Sequence, residues 1–238
     1  MASGVSVHID IRCKMFGAEI PLFDALTFDV LPSEVVALIG PSGVGKSTLL
    51  RMVSGIDTAF SGEILVDGLT AETAGIPGFV FQDPRLLPWS TAAGNLKVVN
   101  PDATDASISS LFQSLSIAGS ENSLPHELSG GMQRRVALAR ALIVQSGLLL
   151  LDEPFVSIDR ILARELHGLL SNVFDAHSPT ALLVTHDAED AARLADRVIR
   201  LEGRPARIAE IATLEVPRRD RSATYVSDVT IKLAGGAQ

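Results

Sequence analysis

The chain has a single cysteine, Cys13, among its 238 residues. No internal disulfide can form, and such sparse thiol usage suits a reducing compartment such as the cytoplasm. No apolar run approaches the roughly 18 residues that read as a membrane span, so any membrane role is expected to come through a partner. The start, Met1-Ala2-Ser3-Gly4-Val5, lacks the basic residues and apolar core of a secretory signal. Positive charge is also short. Twenty Lys and Arg stand against 28 Asp and Glu, a net charge of -8, whereas nucleic-acid binders present a basic domain or stripe. Repeats and low-complexity tracts are absent as well. What remains is an ordinary globular composition, 47% hydrophobic and 20% charged, in a chain able to bury a substantial core.

Against that background one stretch stands out: Gly40-Pro41-Ser42-Gly43-Val44-Gly45-Lys46-Ser47-Thr48. It follows the apolar run Val35 to Ile39 and precedes Leu49-Leu50, a strand, glycine-rich loop and helix in series. In that context G-x-x-x-x-G-K-[ST] binds nucleotide phosphates. Gly40, Gly43 and Gly45 let backbone N–H groups turn inward, and the helix N-terminus adds partial positive charge. Lys46 is expected to reach the β- and γ-phosphates, and the Ser47 hydroxyl to ligate Mg²⁺.

The other elements follow from periodicity. Val5 to Ile11 alternates as a half-buried strand does, and Ile20 to Val30 can pair with it. Val35 to Ile39 and Leu148 to Leu151 read as strands buried on both faces. Short strands are expected at Glu63 to Val66, Gly78 to Phe81, Ala181 to Val184 and Val198 to Leu201. Helices are expected over Lys46 to Ser54, Gln133 to Val144, Ile161 to Phe174 and Ala188 to Leu194. From Asp83 to about Leu124 the pattern is polar and helix-prone, read as an insertion. After Gly203 come a short strand and an irregular tail. Strands alternating with helices imply an α/β fold with a mostly parallel sheet.

Leu148 to Leu151 leads into Asp152-Glu153-Pro154. An apolar strand carrying an acid to its C-terminal end beside a phosphate loop is how such proteins hold Mg²⁺, and Asp152 fits. Glu153, one residue on, is positioned as general base or polariser of the attacking water. Leu128-Ser129-Gly130-Gly131-Met132-Gln133 opens another helix, where hydroxyl, backbone N–H and helix dipole can hold an anion. A plain N-cap has the same composition, and the residues alone leave both readings open.

Taken together, and in this order, these motifs resemble those of the ATP-binding cassette (ABC) ATPases of membrane transporters over nearly the whole chain. The resemblance implies a P-loop NTPase fold with a mostly parallel core sheet, an N-terminal antiparallel β subdomain and a helical insertion. It treats residues 1–238 as one domain, with a helical subdomain at about 83–145. Gly40 to Thr48, including Ser42 and Thr48, is similar to the Walker A loop. Leu128 to Gln133 is similar to the signature motif, with Ser129, Gly130 and Gly131 intact and Met132 where glutamine is usual. Asp152 and Glu153 resemble the Walker B pair, Asp159 the D-loop aspartate and His186 the switch histidine. Gln82 resembles the Q-loop glutamine, grouped with Ser47 and Asp152 around Mg²⁺ and linking nucleotide state to the membrane subunit. Phe16 lies where an aromatic stacks on adenine. Val156-Ser157-Ile158-Asp159 departs from the usual D-loop. His8, His126, His167 and His177 have no such context and read as structural.

The family further implies ATP and Mg²⁺ as ligands and head-to-tail pairing of two copies. Ser129 and Gly131 of one copy would then cover ATP held by Lys46 and Ser47 of the other. It implies permease subunits, indirectly an extracytoplasmic solute-binding protein, no nucleic acid, and a peripheral place on the cytoplasmic face of the inner membrane. Phe81 to Trp89 and Pro217-Arg218-Arg219-Asp220-Arg221 resemble importers of nitrate, sulfonates and taurine. Leu86, Leu87 and Trp89 either tuck into the insertion or line a groove for the permease. A soluble cassette of DNA repair or the ribosome, an importer of another solute such as a thiamine precursor, and a metabolite kinase are the competing readings. The kinase leaves Ser129-Gly130-Gly131 and His186 unexplained.

Overall fold

The computed structural model describes residues 3–15, 17, 20–156, 158 and 160–235. The alternating start of the chain forms strand β1 (Val7–Lys14), with Val7, Ile9 and Ile11 buried. It pairs antiparallel with β2 (Phe23–Val30) on one side and β4 (Ser61–Val66) on the other. The two-residue β5 (Leu69–Thr70), which the sequence reading does not anticipate, completes this sheet. Its hairpin turns on Asp67 and Gly68, both at positive φ, the dipeptide a type I′ turn favours.

The second sheet runs in the order β10 (Arg207–Thr213), β9 (Arg197–Glu202), β3 (Val35–Ile39), β8 (Thr180–Val184), β7 (Leu148–Asp152), β6 (Gly78–Val80). All its pairings are parallel except that of the edge strand β10. Every residue of β3, β7 and β8 is buried, because cores lie on both faces. Val36, Leu38, Leu150 and Leu182 face a cluster shared with helix α1 (Lys46–Val53) and the antiparallel sheet. Val35, Leu149, Leu151 and Leu183 face the other cluster, shared with α2 (Ala92–Val99), α3 (Asp105–Ser114), α4 (Gly130–Ile143) and α5 (Arg160–His177). Helices α2 to α4 thus occupy the stretch between β6 and β7. The hydroxyls of Thr91, Thr104 and Ser129 cap them, each accepting a backbone N–H of the first turn.

The tail corrects the sequence expectation. Beyond β10 and α6 (Ala188–Leu194), the end of the chain is helical, α7 (Ala223–Gly235). Ser222 Oγ accepts the Tyr225 N–H. Val226 and Leu233 are buried, Leu233 in a cluster with Ala191, Ala195 and Val198. The narrow stripe of Val226, Val229 and Leu233, diluted by Ser and Thr, hides this helix from a periodicity reading. Among the described residues no helix is long and apolar enough to cross a membrane.

Candidate functional site

The glycine-rich loop leaves β3 and enters α1 through backbone conformations that side chains resist. Gly40 has φ +148, and a Cβ there would lie 2.3 Å from the Leu201 carbonyl oxygen. Gly45 has φ +113 as the N-cap of α1, and a Cβ would lie 2.6 Å from the Phe23 ring. Gly45→Ala is therefore expected to lower stability by about 1–3 kcal/mol and to weaken nucleotide binding. Thermal denaturation checks it, and an unchanged Tm would show that the loop tolerates a Cβ. Ser42 and Gly43 are exposed on the loop rim, while Ser47 and Thr48 are half-buried in the first turn of α1.

Lys46 is buried, and its ammonium donates to the loop's own carbonyls, Gly40 O at 2.7 Å and Pro41 O at 3.1 Å. Burial pushes its pKa down, while the carboxylates of Glu153 and Asp152 pull it back up. Asp152, the last residue of β7, accepts the Ser47 hydroxyl at 2.8 Å. Burial pushes the Asp152 carboxyl up, against the opposing effect of the Ser47 bond. Ser47 and Asp152 are hard oxygen donors in contact, and the buried Asp152 carboxylate invites a cation. Among the described residues no three His, Cys, Asp or Glu cluster as a metal cage. This donor set fits Mg²⁺, which takes few protein ligands and completes its shell with phosphates and water.

Glu153 leaves the strand at φ +47, a left-handed conformation costly for a non-glycine residue and concentrated at functional sites. Its N–H donates to Val184 O at 2.9 Å, tying the ends of β7 and β8 together. His186, two residues beyond β8 and half exposed, brings Nδ1 to 3.5 Å from Glu153 Oε2. The turn beneath it is held from behind. Thr185 Oγ1 donates to Asp190 Oδ2 at 2.6 Å and accepts the Asp187 N–H at 3.0 Å. Lys46, Ser47, Asp152, Glu153 and His186 therefore converge at the C-terminal end of the parallel strands, where open α/β sheets bind ligands.

Ser129, Gly130 and Gly131 lie elsewhere. They open α4, which packs on the sheet face opposite α1. Ser129 and Gly130 are exposed. A Cβ on Gly131 would meet Leu162 of α5 at 2.7 Å, and Met132 packs against the core on that face. Gln82 has an exposed side chain, and its carbonyl accepts Arg134 Nη1 at 3.1 Å. Phe16 and Asp159 lie outside the described residues.

The sequence reading does not foresee what fixes the loop after Gln82. Arg140 donates to the carbonyls of Pro84 and Arg85 at 2.8 and 2.7 Å. The fully buried Asn95 accepts the Leu87 N–H and donates to Leu87, Ser90 and Thr91 carbonyls. A buried asparagine at helix spacing from the loop is the one local signal. The loop walls a groove of about 530 Å³ lined by Ile56, Ile76, Phe79, Phe81, Leu87 and Val98. Phe79 and Phe81 stack at 4.2 Å, with Arg85 over Phe81. Leu86 turns to the core, Leu87 lines the groove, and Trp89 is 77% exposed nearby.

Comparison with known proteins places these features in context. A family model described as ABC transporter matches residues 23–156. The aliphatic sulfonates import ATP-binding protein SsuB 1 of Xanthomonas axonopodis pv. citri is 42% identical, covering 93% of this chain and 90% of its own. The aliphatic sulfonates import ATP-binding protein SsuB of Bacillus subtilis is 34% identical, covering 89% of this chain and 86% of its own. A solved dimeric ATP-binding cassette, in a post-hydrolysis state bound to ADP and Pi, superposes with TM-score 0.76 at 26% identity. It covers 90% of this chain and all of that one.

Proposed function

The chain belongs to the ABC transporter family, and on that footing we propose that it is the ATP-hydrolysing subunit of an importer for aliphatic sulfonates. The observation that carries the hydrolase reading is the convergence of Lys46, Ser47, Asp152, Glu153 and His186 at one end of the core sheet. The relatives' names supply the solute class.

The loop from Gly40 to Thr48 wraps the ATP phosphates with backbone N–H groups. Lys46 gives up the Gly40 and Pro41 carbonyls for the β- and γ-phosphate oxygens. Ser47 and Asp152, with Gln82, hold Mg²⁺, which when bound neutralises charge on the phosphate oxygens. Glu153 polarises the attacking water and His186 contacts the γ-phosphate. Phe16 stacks on adenine, and Asp159 acts at the paired interface. Similar solved cassettes are dimeric, and the resemblance to that family implies that the signature of one copy serves the phosphate loop of a second. Head-to-tail pairing of two copies completes each site through Ser129, Gly130 and Gly131. Residues 1–238 act as one cassette, with 83–145 as its helical subdomain.

The groove beside Trp89 receives the permease, and the loop pinned by Arg134, Arg140 and Asn95 links it to Gln82. The protein is peripheral to the membrane, on the cytoplasmic face of the inner membrane, and an extracytoplasmic solute-binding protein delivers the solute. The apolar groove and the net charge of -8 weigh against a soluble cassette of DNA repair or the ribosome.

The test is purification from solubilised native membranes with ATP, followed by reconstitution. A multi-span permease should co-purify, and proteoliposomes should accumulate ethanesulfonate only with ATP. Recovery of ribosomal or DNA-associated proteins alone would overturn the transport reading. Uptake of nitrate but no sulfonate would overturn the solute. Trp89→Ala should reduce permease retention at least tenfold while leaving ATP affinity unchanged; full retention would remove Trp89 from the docking surface.

A further inference from the structure

Helix α6 buries Ala191, Ala192 and Leu194, and beside them a carboxylate, Asp190. A charge taken out of water is costly unless it is bonded, and both oxygens of Asp190 are engaged. Oδ2 accepts the Thr185 hydroxyl at 2.6 Å, and Oδ1 lies 2.8 Å from His167 Nε2 of α5. Thr185 and His167 are themselves buried. None of the three side chains touches Lys46, Ser47 or Asp152, and apolar side chains of similar volume would avoid the cost of desolvation.

What these groups hold is the turn that carries His186. Thr185 Oγ1 also accepts the Asp187 N–H at 3.0 Å. The Thr185 N–H donates at 3.2 Å to the carbonyl of Leu38, two residues before Gly40 of the phosphate loop. The backbone is thus fixed on both sides of His186. The His186 side chain is itself half exposed, and its Nδ1 meets Glu153 Oε2 at a loose 3.5 Å. Its place is therefore set by the turn more than by its own contacts. His167 also reaches the segment after Glu153, since its ring packs on Phe155, two residues on, with centroids 4.2 Å apart. Its Nδ1 has no hydrogen-bond partner, so Nε2, turned to Asp190, is the engaged nitrogen. From sequence His167 reads as structural, yet it stands behind both His186 and Glu153.

We propose that His167, Asp190 and Thr185 are positioning residues for ATP hydrolysis, which through the turn at 185–187 hold His186 where the γ-phosphate will lie. None of them touches the nucleotide. The proposal rests on the reading of His186 as a γ-phosphate contact. A misplacement of about 1 Å, even by a change remote from the chemistry, can cost about 10²-fold in rate. ATP binding, by contrast, depends on Lys46, Ser47 and the glycine-rich loop, whose bonds involve none of these three side chains.

The experiment is steady-state ATP hydrolysis with a separate ATP titration, on the full chain and its variants. T185V removes the hydroxyl at nearly constant volume, and H167L removes the donor to Asp190. Each should lower kcat at least about tenfold, with the affinity for ATP unchanged. T185S restores a hydroxyl, and H167Q an amide N–H at the reach of Nε2; both should recover most of the lost turnover. A purely structural role would instead lower Tm and leave kcat per folded chain as it was. In the His186→Ala chain, T185V should cost less than about twofold more, because both changes remove the action of one group. H167L leaves every residue of the turn in place, so it decides the matter should T185V not fold. Wild-type kcat in H167L, or the same reduction by T185V with and without His186, would overturn the proposal. Wild-type turnover in His186→Ala would remove His186 from the chemistry, and the proposal with it.

Discussion

Glu153→Gln is expected to bind ATP yet hydrolyse it about 10²–10⁴-fold more slowly, the range that a positioned general base contributes. The exchange is isosteric. The backbone at φ +47 and the N–H bond to Val184 O do not depend on the side-chain charge, so the strand end stays in place. What disappears is a carboxylate able to orient and draw a proton from water, beside an imidazole whose Nδ1 lies 3.5 Å away. The loss corresponds to about 3–5 kcal/mol of transition-state stabilisation. Phosphate release at saturating ATP reads the turnover, and a nucleotide-binding assay reads the retained affinity. Because the trapped nucleotide keeps both copies closed, size-exclusion chromatography with ATP should show a dimer. Wild-type turnover in this variant would remove Glu153 from the chemistry.

Lys46→Ala is expected to lower kcat/KM for ATP by about 10²–10³-fold, the size of effect seen when one preorganised oxyanion donor is removed. The physical reason is larger than one lost hydrogen bond. Lys46 is the buried cation facing both Asp152 and Glu153. Without it the phosphates would meet two carboxylates with less opposing charge. Its present partners, Gly40 O and Pro41 O, would also lose their donor. Steady-state kinetics combined with direct ATP titration separates weakened binding from slowed chemistry. Unchanged binding together with unchanged turnover would refute the assignment of the phosphate site.

The sequence singles out these two residues because their chemistry is written in contiguous residues. The phosphate loop needs glycines at fixed positions ahead of a lysine, and β7 needs an apolar run that ends in acids. The same holds for β3, β7 and β8, whose burial on both faces forces uninterrupted apolar sequence. It fails where an element is stabilised by one narrow stripe. Helix α7 shows too little periodicity to be read, yet Leu233 seals the cluster on Ala191 and Val198. It fails again where a bond spans the chain. Arg140 holds carbonyls 55 and 56 residues upstream, and nothing local to Arg140 marks it as more than one more cation on a helix.

Local sequence thus decided which groups stand in the glycine-rich loop and at the strand ends, since loop conformation and strand ends depend on nearest neighbours. The tertiary structure alone decided their surroundings. It buried Lys46 beside two acids, set the signature on the sheet face opposite α1, and pinned the loop after Gln82. It also set His167 of α5 behind Asp190 and the turn that carries His186. Each of these depends on which distant segments pack together, and hydrophobic burial selects that packing without specifying polar partners in the linear order of residues.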